Sequence, residues 1–251
     1  MPSPNNSLIA RGSVAWRVHG DVTTMMIGGM SGLLLQMLHP RALAGVWDHS
    51  NFRADMLGRL RRTARFIATT TYGERADAEA LIDKVRRIHA HVQGTLPDGT
   101  SYSADDPRLL AWVHVAGEMS FLEAWIRHAE PAMTRADKDQ FFAEVAVVAE
   151  KLGADPIPRS FAVAEALISE FRAELKSDDR SRIVRDLILS PPGTSLVTLP
   201  VQQLLSRAAV DLLPPWARRM HKLRSAGLSA PLLGASVRGL GGSLRWALGR
   251  T

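Results

Sequence analysis

Breaks at His39-Pro40, Leu96-Pro97-Asp98-Gly99, Glu130-Pro131, Gly153 to Pro158, Ser190-Pro191-Pro192-Gly193 and Leu213-Pro214-Pro215 cut this chain into stretches of helical length. Proline stops a helix because it lacks the amide proton and its ring meets the preceding turn. Between the breaks, apolar residues recur at steps of three and four, and no convincing two-residue alternation occurs. The pattern predicts helices over 13–38, 40–56, 57–71, 76–94, 107–129, 135–152, 159–176, 179–189, 198–213 and 215–226, and a last amphipathic helix beyond Pro231. Asp98-Gly99, between Val92 and Tyr102, is the one place that reads as a small hairpin. An all-α fold follows. One helical domain over 13–226 is expected, between a flexible N-terminus at 1–12 and a basic amphipathic segment at 227–251.

Composition narrows the chemistry. The 251 residues, 46% of them hydrophobic, are enough for a sizeable core. There is no cysteine, which excludes disulfides, cysteine-ligated zinc or iron–sulfur clusters, thiolate-ligated haem and cysteine nucleophiles. Any metal must rely on carboxylates, methionine or the eight histidines. The net charge of +6 is concentrated late: residues 181–251 hold ten basic and two acidic groups. Such a tail fits either a solvated helical surface or weak contact with an anionic membrane. No aromatics interleave the basic residues, so no nucleic-acid partner is expected. MPSPNNSLIA at the start lacks the charged-then-apolar pattern of a secretion signal, and a cytoplasmic location is expected. Val22 to Leu38 is uncharged for 17 residues, but glycine, threonine, serine and glutamine dilute it; it reads as a buried helix, not a transmembrane one.

Several catalytic signatures are missing, among them G-x-S-x-G, Walker A, H-E-x-x-H and E-x-x-H. Gly28-x-x-x-Gly32 reads as a site of close helix packing. Arg59 and Thr63 share a helix face, as do Arg65 and Thr69; an arginine beside a hydroxyl suits an anionic ligand group. Arg59, Arg61, Arg62 and Arg65 cannot all be buried, so at least two must be solvated. In LIDKVRRIHAHVQG the apolar stripe is Leu81, Val85, Ile88 and Val92, with His89 within it and His91 turned away. His89 is thus either a hydrogen-bonded core histidine or a ligand. His114 flanks an apolar stripe one turn before Glu118. His39 fits a helix cap and His49 a turn or helix start, while His19, His128 and His221 carry no signal.

Read in order, a set of landmarks resembles one family: Gly20-Asp21, Gly28-Gly29, Gln36 with His39-Pro40, Val46 with His49-Ser50-x-Phe52, and Arg59-Leu60-Arg61-Arg62-Thr63-x-x-Phe66. Tyr72-Gly73, Ile88-His89-Ala90-x-Val92, Tyr102-x-Ala104, Trp112-Val113-His114 and Leu213-Pro214-Pro215 with Arg218 complete the set, over about residues 15 to 225. The family is that of the latex-clearing rubber oxygenases and the fungal mycophenolic-acid-pathway oxygenase. The resemblance implies a globin-like all-α bundle around haem b, with His89 as the iron ligand and Arg59 and Thr63 beside the haem. Arg62 stands where the rubber oxygenases can place a lysine, and His49 or His39 would fill the space opposite the iron ligand. Dioxygen and a small lipophilic molecule would be the substrates. The alternatives are a haem- or lipophile-binding protein without turnover, and a cofactor-free basic interaction protein.

Overall fold

Gly20 and Asp21 split the first expected helix in two. In the computed structural model, which describes residues 6–190 and 198–248, α1 (Val14–His19) stops at Gly20 and α2 (Val22–Gln36) begins after Asp21. The Asp21 carboxylate accepts the Thr24 amide proton at 2.8 Å, satisfying a donor that a helix start leaves free. The same device sets later boundaries. Asp55 caps α4 (Met56–Tyr72), so α3 ends at His49 (Pro40–His49) rather than running on to Met56. Asp106 caps α6 (Pro107–His128), Thr134 caps α7 (Arg135–Leu152), and Ser160 caps α8 (Phe161–Phe171) two residues later than expected. Helix α5 (Arg75–His89) ends at His89, because the chain turns into β1 (Gln93–Thr95) and then β2 (Ser101–Ser103). These strands form the hairpin expected at Asp98-Gly99, with Gly99 at φ +87°. The remaining helices are α9 (Asp179–Leu189), α10 (Leu199–Leu212), α11 (Pro215–Met220) and α12 (Ala230–Leu248). The break at Pro191-Pro192-Gly193 lies outside the described residues.

The centre of the bundle is the α2–α6 pair, packed along their length. Gly28 meets Phe121, Gly32 meets Gly117, and Gln36 donates to the Val113 carbonyl at 2.8 Å. One sequence number rises as the other falls, so the helices are antiparallel. Both are apolar on nearly every side, as a helix surrounded by others must be. Helices α9, α10 and α12 lean on α2, while α7 and α8 cover α6. On the other flank, α1 contacts α4, α6 and α7, and α5 bridges α4 and α7.

Described residues near both ends pack on the bundle, and the amphipathic helix expected beyond Pro231 is α12. Within the stretch expected to be a flexible N-terminus, residues 6–12 are fastened to the bundle. Leu8 and Ile9 are buried, the Trp16 indole donates to the Ile9 carbonyl, and Ser7 bridges Glu74. Burial of the two apolar side chains and these hydrogen bonds together offset the freedom the tail loses. The C-terminal segment is likewise part of the bundle: α12 packs on α2, α6 and α10 and buries Val237. Among the described residues no helix is long and apolar enough to cross a membrane.

Buried histidines give the fold a pH response. Burial, with the Arg127 guanidinium adding to it, holds His128 at about 4; His39, His114 and His221 are also lowered, chiefly by burial. The unfolded chain then binds more protons below about 6.5, so stability contributed above that pH is lost as pH falls towards 4. Urea denaturation across this window should show that decline, with a shallower slope in His128→Leu.

Candidate functional site

Helix α4 presents the arginines, and the structure sorts them. Arg61, Arg62 and Arg65 are exposed, and Arg62 pairs with Asp55 at 3.3 Å. Arg59 alone of the four turns inward. Its Nη1 donates to the Ser50 hydroxyl at 3.4 Å, and among the described residues no carboxylate pairs with it. Burial lowers its pKa, with Arg62 adding to the effect, so this guanidinium is held where an anionic partner would be favourable. Thr63 lies one turn on and is exposed, its hydroxyl donating to the Arg59 carbonyl at 3.2 Å. The Arg65 and Thr69 pair forms no such unit, since Arg65 points to solvent.

His89 closes α5, and it does lie on the inward stripe of that helix. The stripe differs from the expected one. It runs through Ala78, Ile82, Val85 and His89, whereas Ile88 is 52% exposed. Val92 falls beyond the helix end, so the expected fourth position never joins it. His89 is half-buried, and neither ring nitrogen makes a hydrogen bond among the described residues. Burial lowers its pKa and outweighs nearby Asp105, which acts the other way, so the neutral imidazole is favoured. A neutral, uncommitted imidazole is the form that ligates a metal. His91 is exposed and donates to the Arg87 carbonyl at 2.7 Å.

The other two expected histidines are committed to the fold. His39 caps α3, its Nδ1 accepting from the Arg41 amide, while Nε2 donates to Glu174 at 3.3 Å. Arg108 holds the other Glu174 oxygen at 2.7 Å, and Trp112 and Phe171 flank the ring. His39 therefore has no nitrogen left for a ligand. His49 is exposed at the end of α3, where Nε2 donates to the Gln93 carbonyl at 3.1 Å and lies 3.3 Å from the Tyr102 hydroxyl. Tyr102 donates to Asp48 at 2.6 Å, and its pKa is pushed up to about 12 by burial and by that carboxylate. The group fastens the hairpin to α3.

Sequence reasoning missed a buried polar cluster between α1, α4 and α6. His19 lies 3.0 Å from the Thr71 hydroxyl through Nδ1 and 3.2 Å from Glu118 through Nε2. Burial would raise Glu118, but His19 and His114 outweigh it and leave the carboxyl below its usual range. His114, one turn before Glu118, has its pKa lowered by burial, and among the described residues its buried Nε2 has no hydrogen-bond partner. The spacing of His114 and Glu118 was visible in the sequence. The third member, His19, comes from 99 residues away and carried no local signal.

Among the described residues no three histidine or acidic side chains converge to hold a metal ion. A porphyrin brings four nitrogens of its own and asks for a single imidazole, plus cations for its propionates. His89 is an imidazole without a hydrogen bond among the described residues, and Arg59 a guanidinium without a carboxylate among them. A family model described as "ER-bound oxygenase mpaB/B'/Rubber oxygenase, catalytic domain" matches residues 16–246. The chain belongs to this oxygenase family. The match runs from α1 into α12, so the expected boundary at residue 226 does not divide the family domain. Comparison with curated proteins finds no match, nor does comparison with solved structures.

Proposed function

We propose that this member of the family is a haem b oxygenase that uses dioxygen on a small lipophilic substrate, with His89 as the iron ligand. The observation that carries the reading is the His89 imidazole: half-buried on the inward stripe of α5, with no hydrogen bond to either ring nitrogen among the described residues. Bound haem would supply the redox chemistry that activates dioxygen. The chain supplies the rest. His89 offers a nitrogen lone pair without first losing a proton. Arg59 offers donors to a propionate, and Thr63 offers a hydroxyl on the same helix face. Arg62, paired with Asp55 at 3.3 Å, presents only N–H donors and has no lone pair to offer iron.

The deciding experiment is the ultraviolet–visible spectrum of the purified protein reconstituted with haemin, with a pyridine haemochrome assay and oxygen uptake over a panel of isoprenoids. A Soret band with substrate-dependent uptake supports the proposal. A Soret band without uptake favours a non-catalytic haem binder, and failure to take up haem defeats the reading. Arg59→Ala should weaken haem affinity roughly tenfold, the worth of one charge-assisted hydrogen bond. Arg61→Ala, on the exposed side of the same helix, should change it little. Equal losses in a haem titration would mean that α4 is simply destabilised.

A further inference from the structure

We propose that the face formed by α10, the 223–229 connection and the start of α12 docks on an anionic lipid bilayer. The proposal does not require haem. Arg207, Arg224, Leu204, Leu223, Leu232 and Leu233 all line one open groove of about 870 Å³. That groove contains none of the oxygenase-site residues. Its lining is mixed, leucines interspersed with serines and two guanidiniums, as the chain and headgroup of an amphiphile together require. Arg207 and Arg224 are both exposed, and among the described residues neither makes a hydrogen bond or an ion pair. The adjacent carboxylate, Asp211, is occupied by Arg127 and by the Ala226 amide.

Around the groove the surface is apolar where a solvated helix should be charged. Leu228 is fully exposed at 103%, and Leu232, one turn further on, is exposed at 73%. Along the outer side of α12, exposed Leu232, Ala235, Ser236, Gly239, Ser243 and Trp246 carry no charge. Trp246, 14 residues beyond Leu232, falls within about 40° of it around the helix. Tryptophan is favoured at the boundary between lipid and water. Electrostatics choose the partner. After Asp211 the chain has seven basic residues and no acidic one, so this end of the molecule attracts negative surfaces. Exposed leucines set among unpaired arginines match the paired demands of a membrane surface: acyl chains for the one, lipid phosphates for the other. A protein partner would need acidic and apolar groups in matching places, whereas a bilayer offers both over any area.

Co-sedimentation of the full chain with vesicles tests this. The protein should bind vesicles of phosphatidylcholine and phosphatidylglycerol, roughly tenfold more weakly to phosphatidylcholine alone, and less as salt rises. Leu228→Ser with Leu232→Ser should lower partitioning about tenfold, and so should Arg207→Glu with Arg224→Glu. All four side chains are exposed, so the circular dichroism and melting temperature should stay as in the parent. Arg61→Glu with Arg65→Glu makes the same charge change on α4 and should bind nearly as the parent does. No binding to the anionic vesicles, or equal loss in the α4 variant, overturns the proposal. So does a dimer in analytical ultracentrifugation that the leucine variant dissociates, since the face would then belong to a second copy.

Discussion

Replacing His89 with alanine should lower haem affinity by more than about 100-fold, beyond the loss usual for a residue that only supports a ligand. His91→Ala, two residues away, should leave the spectrum of the reconstituted protein unchanged. The contrast follows from where the two rings lie. His89 is half-buried at the inward end of α5 with neither nitrogen hydrogen-bonded among the described residues, while His91 is exposed and already donates to the Arg87 carbonyl. A histidine that merely filled space would behave differently. Its loss would cost stability, on the order of 1–3 kcal/mol if a buried partner were left unpaired, with no change in the iron spectrum. His89 has no such partner to leave behind. Free imidazole should re-enter the vacated space in His89→Ala and restore part of the Soret band. Unchanged haem binding by the alanine variant would rule His89 out. The test would then move to His114, whose buried Nε2 also has no partner among the described residues.

How much of this was legible in the sequence depended on the range of the interaction. Prolines, capping aspartates and the Asp-Gly turn act within a few residues, so the helices and the hairpin could be read directly. Asp21 and Asp55 cap helices inside stretches whose periodicity reads as continuous, so the pattern alone makes two helices too long. The inward position of His89 was legible, but the stripe that puts it there was not. Leu81, Val85, Ile88 and Val92 and the true Ala78, Ile82, Val85 and His89 both repeat at helical spacing, and only the neighbouring helices decide between them. The commitment of His39 to Glu174 spans 135 residues and that of His49 to the hairpin spans 44, so local pattern could not show that these rings were taken. Arg59 was singled out with its neighbours, yet its isolation from carboxylates is a property of the assembled fold.

Among glycines of α2, three single substitutions should give three different results in apoprotein stability. A methyl group at Gly28 would lie 2.8 Å from both the Phe121 Cα and the Ser120 carbonyl oxygen. Both are backbone atoms of the partner helix, so no rotamer change relieves the contact, and α2 and α6 must separate. Gly28→Ala should therefore cost about 3 kcal/mol, at the upper end for overpacking, even though alanine favours the helix by about 1 kcal/mol. At Gly32 the nearest atom is the Gly117 Cα at 3.3 Å, a contact that a shift of a few tenths of an ångström relieves. Strain and helix propensity should nearly cancel in Gly32→Ala. At Gly29 the nearest atom, Cε1 of Phe121, is 3.6 Å away, an ordinary contact, so Gly29→Ala should gain roughly 0.5–1 kcal/mol. Urea midpoints at constant slope would report the order directly. Stability in Gly28→Ala equal to that in Gly29→Ala would mean that the helices are further apart at this crossing. Loss at Gly28 alone ties the Gly-x-x-x-Gly pattern to helix contact, because a phosphate-binding role would leave the empty protein indifferent to the methyl group.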